Sequence, residues 1–122
     1  MPSDPIQQLE EELRLARLTG DVRTMSRLTE GALIVATDEV ASAHRLTRGE
    51  LYRAGRLRLT RLTTSEQVVC YHDSVAVVSV TMNVAGTLDG VPFSDVYRCI
   101  RMWRRYRKGW RVVVEHISPI AA

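Results

Sequence analysis

The apolar residues of this chain change their spacing once, at Gly55. Before Gly20 they recur every three or four positions, as in Ile6, Leu9, Leu13 and Ala16; after Gly55 they recur every second position as far as Ile117. The first spacing is one face of a helix and the second is an extended strand. Helices first and long strands afterwards point to an α+β domain, in which a sheet bends around helices gathered at the N-terminal end. At 122 residues, the whole of 1–122 reads as a single domain.

Punctuation sharpens this division. Asp4 before Pro5 is a helix N-cap with proline at the first helical position, and Gln7 completes a capping-box pattern. Glu10, Glu11 and Arg14 lie off the apolar stripe, so Glu10 is expected to pair with Arg14 one turn later. Gly20 is the stop. Asp21 starts a second helix through Val22, Met25 and Leu28, expected to end at Gly31. Ala32–Ala36 is a buried strand or a tight apolar link, and residues 37–44 read as a loop. Thr47 is expected to cap a short helix through Leu51 and Tyr52, closed by Gly55.

Four strands follow. Leu57 to Tyr71 is one long strand or a strand with a bulge, and His72-Asp73-Ser74 turns it. Val75–Leu88 is rich in valine and threonine, a strong strand signal. Asp89-Gly90 is the favoured dipeptide of a two-residue hairpin, because both positions need positive φ. Phe93–Tyr106 is the third strand, Arg107-Lys108-Gly109 a turn, and Trp110–Ile117 the last strand. These strands carry apolar residues on both faces, as in Val77 and Val78 or Val112 and Val113. A sheet wetted on one side would alternate apolar with polar. One face is therefore expected to lie on the helices and the other on a second copy of the chain, making a homodimer.

No apolar run approaches the ~20 residues of a membrane span, and the first residues lack a basic start and an apolar stretch. The expectation is a cytoplasmic protein without membrane contact. Cys70 and Cys99 sit in apolar strand runs and are expected to be buried, reduced and inert. Charge is uneven: residues 1–50 hold nine acids and six bases, and residues 51–122 five acids and eleven bases. Seven of those bases lie in Arg98–Arg111 with Trp103, Tyr106 and Trp110 interleaved, the composition of a single-stranded nucleic-acid surface. Most fall at a hairpin tip, where solvation alone explains them, so nucleic acid is not the expected partner. His44, His72 and His116 have no metal-motif spacing, and neither a metal nor a cofactor is expected.

The opening Leu9–Arg14, Gly20-Asp21-Val22 and Arg27-Leu28, the segment Gly86–Gly90 with Phe93, Tyr97-Arg98 and Trp103, and the closing Gly109–Val113 with His116 and Ser118-Pro119-Ile120 resemble, in this order, the nuclear-transport-factor-2-like superfamily. The resemblance covers nearly the whole chain. It implies a cone: helices on a strongly curved antiparallel sheet, cystatin-like, commonly dimeric, with a pocket between the layers. The superfamily includes ketosteroid-isomerase-like and small polyketide-cyclase-like enzymes as well as non-catalytic members, so the fold does not name a reaction. Catalytic members commonly place an acid or histidine just after the first strand, where this chain has Ala36 and Thr37, leaving Asp38 as the nearest acid.

The candidate catalytic residues are Asp38 and His44, in the loop that would rim the pocket beside Glu39, and His116, which shares strand parity with Trp110 and Val112. The candidate pocket residues are Tyr52, Tyr97, Arg101 and Trp103. An arginine between two aromatics suits a planar acid or a polarised carbonyl, and suits a dimer interface as well. The functional expectation is a small-molecule pocket binding an apolar or cyclic ligand, with isomerase-, cyclase- or hydratase-type acid–base chemistry as the reaction it could host. The alternative is a non-catalytic homodimerisation or interaction module with a closed cavity.

Overall fold

The computed structural model describes residues 4–37 and 45–120, with residues 31–37 described by backbone alone. Helix α1 spans Pro5–Thr19 and α2 spans Val22–Leu28. Strand β1 (Thr29–Thr37) follows, then a 3-10 turn (Arg45–Thr47) and a short helix α3 (Gly49–Arg53). Strands β2 (Leu57–His72), β3 (Val75–Leu88), β4 (Val91–Tyr106) and β5 (Gly109–Pro119) complete the chain. The sheet order is β1-β5-β4-β3-β2. Strands β2 to β5 form an antiparallel meander, and β1 adds to its far edge in parallel with β5.

The helix ends follow their caps. The Asp4 carboxylate accepts from the Ile6 and Gln7 amides, and Gly20 closes α1 in the left-handed region at φ 76°. Asp21 caps α2 through the Thr24 amide and hydroxyl. Two boundaries differ from expectation. Helix α2 ends at Leu28 rather than Gly31, because Thr29 is already extended and its carbonyl accepts from Arg111, which lays the next residues along β5. Thr47 lies in the 3-10 turn, and Arg48 takes the N-cap position of α3 without a side-chain bond.

Three bulges shape the antiparallel part of the sheet, β2 to β5. In β2 the register shifts at Thr60 and again at Glu66-Gln67, where Glu66 has φ 53°; in β5 it shifts at Val113. Each extra residue bends its strand and increases the twist. At the first bulge β2 closes onto β3 so tightly that a Cβ on Gly86 would meet the Arg58 carbonyl oxygen at 2.1 Å. The Asp89-Gly90 hairpin has the expected positive φ values, 50° and 81°.

The concave face carries the core. Ala76, Val78, Val80, Met82 and Val84 of β3 and Tyr97, Cys99 and Trp103 of β4 pack against Ile6, Leu13, Ala16, Met25 and Leu28 of the helices. The convex face is mixed: Val68, Val96 and Ile100 are exposed there, at 57%, 39% and 37%, among Ser79, Thr81, Asn83 and Arg98. Cys70 also lies on that face and is exposed, whereas Cys99 is buried as expected. The error at Cys70 is geometric, since an apolar run on an outward strand position is not buried by its own chain. Among the described residues no helix is long and apolar enough to cross a membrane.

Candidate functional site

The centre of the concave face is ionic. Glu10 and Arg17 belong to α1, on the same stripe as Ile6 and Leu13, and so point at the sheet. Arg101 of β4 and Glu115 of β5 are direct cross-strand partners on the inward side. All four are at most 4% exposed.

They form one chain of contacts. Arg101 grips Glu10 with two bonds, Nε to Oε2 at 2.8 Å and Nη2 to Oε1 at 2.7 Å. Its Nη1 donates to Glu115 Oε2. Arg17 grips Glu115 in the same bidentate way, at 2.7 and 2.8 Å. Trp103 Nε1 donates to Glu10 Oε2 at 2.8 Å. Two guanidiniums face two carboxylates, so the buried group carries no net charge, the condition under which ions survive removal from water.

Glu10 therefore does not pair with Arg14. Arg14 instead holds Glu11 at 2.6 and 2.9 Å and the Leu62 carbonyl at 2.8 Å, outside the core. The readable signal was the spacing of Ile6, Glu10, Leu13 and Arg17, which puts an acid and a base in phase with the apolar stripe.

The protonation states of the interior are fixed. Burial alone would raise the Glu115 pKa, but the Arg17 and Arg101 guanidiniums outweigh it and hold the carboxyl down to about 2. Burial pushes the Cys99 thiol up to about 12 and the Tyr52 phenol above its ordinary value. The Tyr52 hydroxyl donates to the Leu46 carbonyl at 2.9 Å. None of these three groups changes charge near neutral pH, so none is poised as a general acid or base.

Space remains around Arg17. A cavity of about 110 Å³ opens between α1 and β2–β3 beside Arg101 and Met82. A second, about 260 Å³, lies toward Met25 and Glu50, and a third, about 390 Å³, toward Tyr52, Leu57 and Leu59. Arg17 lines all three, and its Nε is buried without a hydrogen-bond acceptor.

The structure gathers some of the expected residues and separates others. Arg101 and Trp103 meet in the network, already occupied by Glu10 rather than facing an empty pocket. Tyr97 is buried on the same face of β4, with its hydroxyl 3.2 Å from Asp95 Oδ2, and Tyr52 borders the largest of the three cavities. His116 is on the other side of the sheet. Its expected parity with Trp110 and Val112 is broken by the bulge at Val113, which turns Glu115 and Ile117 inward and sets His116 opposite Ile100. Asp38, Glu39 and His44 lie outside the described residues. Among the described residues no three His, Cys, Asp or Glu side chains gather as a metal site would require.

Solved structures place this geometry in a family. An NTF2-like protein of unknown function in nutrient uptake from Rhodospirillum rubrum ATCC 11170 matches 97% of this chain and 100% of its own, with 36% identity and a TM-score of 0.84. The chain belongs to the NTF2-like family. A provisionally assigned dehydratase of that family from Streptomyces avermitilis matches 97% of this chain and 95% of its own, at 18% identity and TM-score 0.78. The CaMKII hub of S. rosetta covers 98% of this chain and 100% of its own, at 19% identity and TM-score 0.73. No protein-family profile and no curated protein sequence matches the chain.

Proposed function

We propose that this protein is a self-associating module: two copies pack through the convex face of the sheet, and the concave face is closed by its own ion pairs. The observation that carries this reading is the apolar cluster on the convex surface. Across the strands Val68, Ser79, Ile100 and His116 form one row, and Cys70, Val77, Met102 and Val114 form the next. Six of these eight residues are apolar, interrupted by Ser79 and His116. An exposed apolar cluster rimmed by polar residues marks an interaction surface, and a patch met by its own copy is the commonest symmetric solution. The likeness to a hub is in keeping with this reading. Sedimentation velocity over a range of concentrations tests it. The wild type should sediment as a dimer or larger, and Ile100→Asp should be monomeric while keeping a cooperative unfolding transition. A wild type that stays monomeric at high concentration, or an Ile100→Asp variant with unchanged mass, overturns the proposal.

One observation favours a second reading. Arg17 Nε is a buried donor without an acceptor, a loss of about 1–3 kcal/mol that a ligand oxygen or a water would offset. In this reading the protein binds an apolar, cyclic ligand with a carbonyl oxygen on Arg17, its body in the cavity beside Tyr52, and Asp38 and His44 supply any proton transfer. A panel of cyclic ketones in a thermal-shift assay checks it. A true ligand at one hundred times its Kd adds about 2.7 kcal/mol, and a panel without any shift removes the reading.

A further inference from the structure

We propose that a fourth cavity, between helices α1 and α2 and the β4–β5 hairpin, is a binding site for a small amphipathic anion: one apolar body carrying a carboxylate or sulfonate. It is separate from the ion network and does not depend on the dimer or the Arg17 reading.

The cavity holds about 490 Å³, within the range of small-molecule sites. Its apolar walls are Leu9 of α1, Leu28 of α2 and the rings of Tyr106 and Trp110. The Trp110 ring is steadied from two sides. Tyr71 meets it edge-on with ring centroids 6.1 Å apart, and the Arg105 guanidinium lies 5.8 Å from its centroid.

The charge around this cavity is uncompensated on one side only. Arg27 is tied to Glu12, and Arg111 donates to the Ser26 and Thr29 carbonyls with Glu30 nearby. By contrast Lys108 of the lining, and Arg105 over the Trp110 ring, have no acidic partner among the described residues. No acid occurs in the chain between Asp95 and Glu115. Two cations without an acidic partner among the described residues, next to an apolar recess, favour an anion whose carbon skeleton enters the recess. A nucleic-acid strand fits less well. It would need cations spread along a track with aromatic faces in succession, whereas these gather at one turn beside an enclosed space.

The probe for the test is 8-anilinonaphthalene-1-sulfonate, an aromatic monoanion whose fluorescence rises on burial. Titration should show one saturable site per chain. The double variant Arg105→Glu with Lys108→Glu, both at exposed positions, should raise the dissociation constant by about tenfold or more. Leu9→Trp, which fills the recess, should abolish binding while keeping a cooperative unfolding transition. Where Leu9→Trp fails to fold, the charge-reversal variant decides alone. Equal affinity in that variant overturns the proposal. So does a signal lost in Ile100→Asp and kept in the charge-reversal variant, which would place the dye on the convex face. Displacement of the dye by oligo(dT) with steep salt dependence overturns it too, and would assign the hairpin to nucleic acid.

Discussion

Arg101 and Glu115 face the interior of this protein, and Ile100 and His116, each one residue away on the same two strands, face outward. The inner pair is charged and at most 4% exposed, while Ile100 is apolar and 37% exposed. This reverses the usual placement of polar and apolar residues. Each exception carries its own condition. The charges tolerate burial because every carboxylate is gripped by at least one bidentate guanidinium. The apolar outer residues are the surface that the proposed self-association would cover. The inner network also positions the helix. Its two ties on α1, at Glu10 and Arg17, are seven residues or about 10 Å apart, and together they fix both the rotation and the axial position of α1 on the sheet. Apolar packing alone would specify these less sharply.

The largest effect is expected from the loss of one inner partner. Glu115→Ala leaves Arg17 with no anion and Arg101 with only Glu10, and should destabilise by about 3–5 kcal/mol. Ile100→Asp, one strand position away, should change the stability of the single chain by less than about 0.5 kcal/mol when both proteins are compared below the concentration at which the wild type associates. Urea unfolding of the two variants reads both values. A loss below about 1 kcal/mol for Glu115→Ala would show that the interior relaxes around an unpaired charge.

Acid probes the same network without mutation. Glu115 has an ordinary value of 4.5 in the unfolded chain and is held down to about 2 when folded. Above pH 4.5 both states are ionised and its contribution is fully present. As the pH falls from 4.5 toward 2, the unfolded chain takes up the proton first and the contribution is lost, on the order of 3 kcal/mol. Urea midpoints at pH 7, 4 and 2.5 should fall in that order. In Glu115→Gln the fall should be shallower, and an identical slope would place the acid sensitivity elsewhere.

The outcome of reading the sequence follows the range of the interaction involved. Caps, turns and strand spans depend on residues a few positions apart, and Asp4, Gly20 and Asp89-Gly90 stand as expected. That Tyr97, Arg101 and Trp103 share one face was also legible, because β4 keeps its period of two through that stretch, but that this face and not that of Arg98, Ile100 and Met102 turns inward was not. Two misjudgements have a common physical origin. Glu10 has a base one turn away in sequence, so a local pair with Arg14 explained it, and only the fold brings Arg101 to it. Val113 adds one residue against β4, and a single insertion sends every later side chain of the strand to the opposite face. That insertion makes Glu115 an interior ion and His116 an outer-face residue, and nothing in the Val112-Val113-Val114 run marks which valine is extra.

The smallest test uses the two cysteines, one on each face. Cys99 is buried beside Glu115, its Sγ 3.7 Å from Oε2, with a thiol pushed up to about 12. Cys70 is exposed on the convex side, paired across the strands with Val77. Thiolates within reach attack the disulfide of a reagent such as 5,5′-dithiobis(2-nitrobenzoate) and release thionitrobenzoate. It should label one thiol per chain rapidly, and the second at least about a thousandfold more slowly, on the timescale of unfolding. Modification at Cys70 should leave the unfolding midpoint almost unchanged, because the side chain fills no interior space. Two fast thiols would mean that the inner face opens readily, against the rigid network described above. The concentration dependence then reports on the outer face. As copies associate, the rapid phase should slow in the wild type and stay constant in Ile100→Asp, and equal rates in both at every concentration would show that nothing covers the convex surface near Cys70.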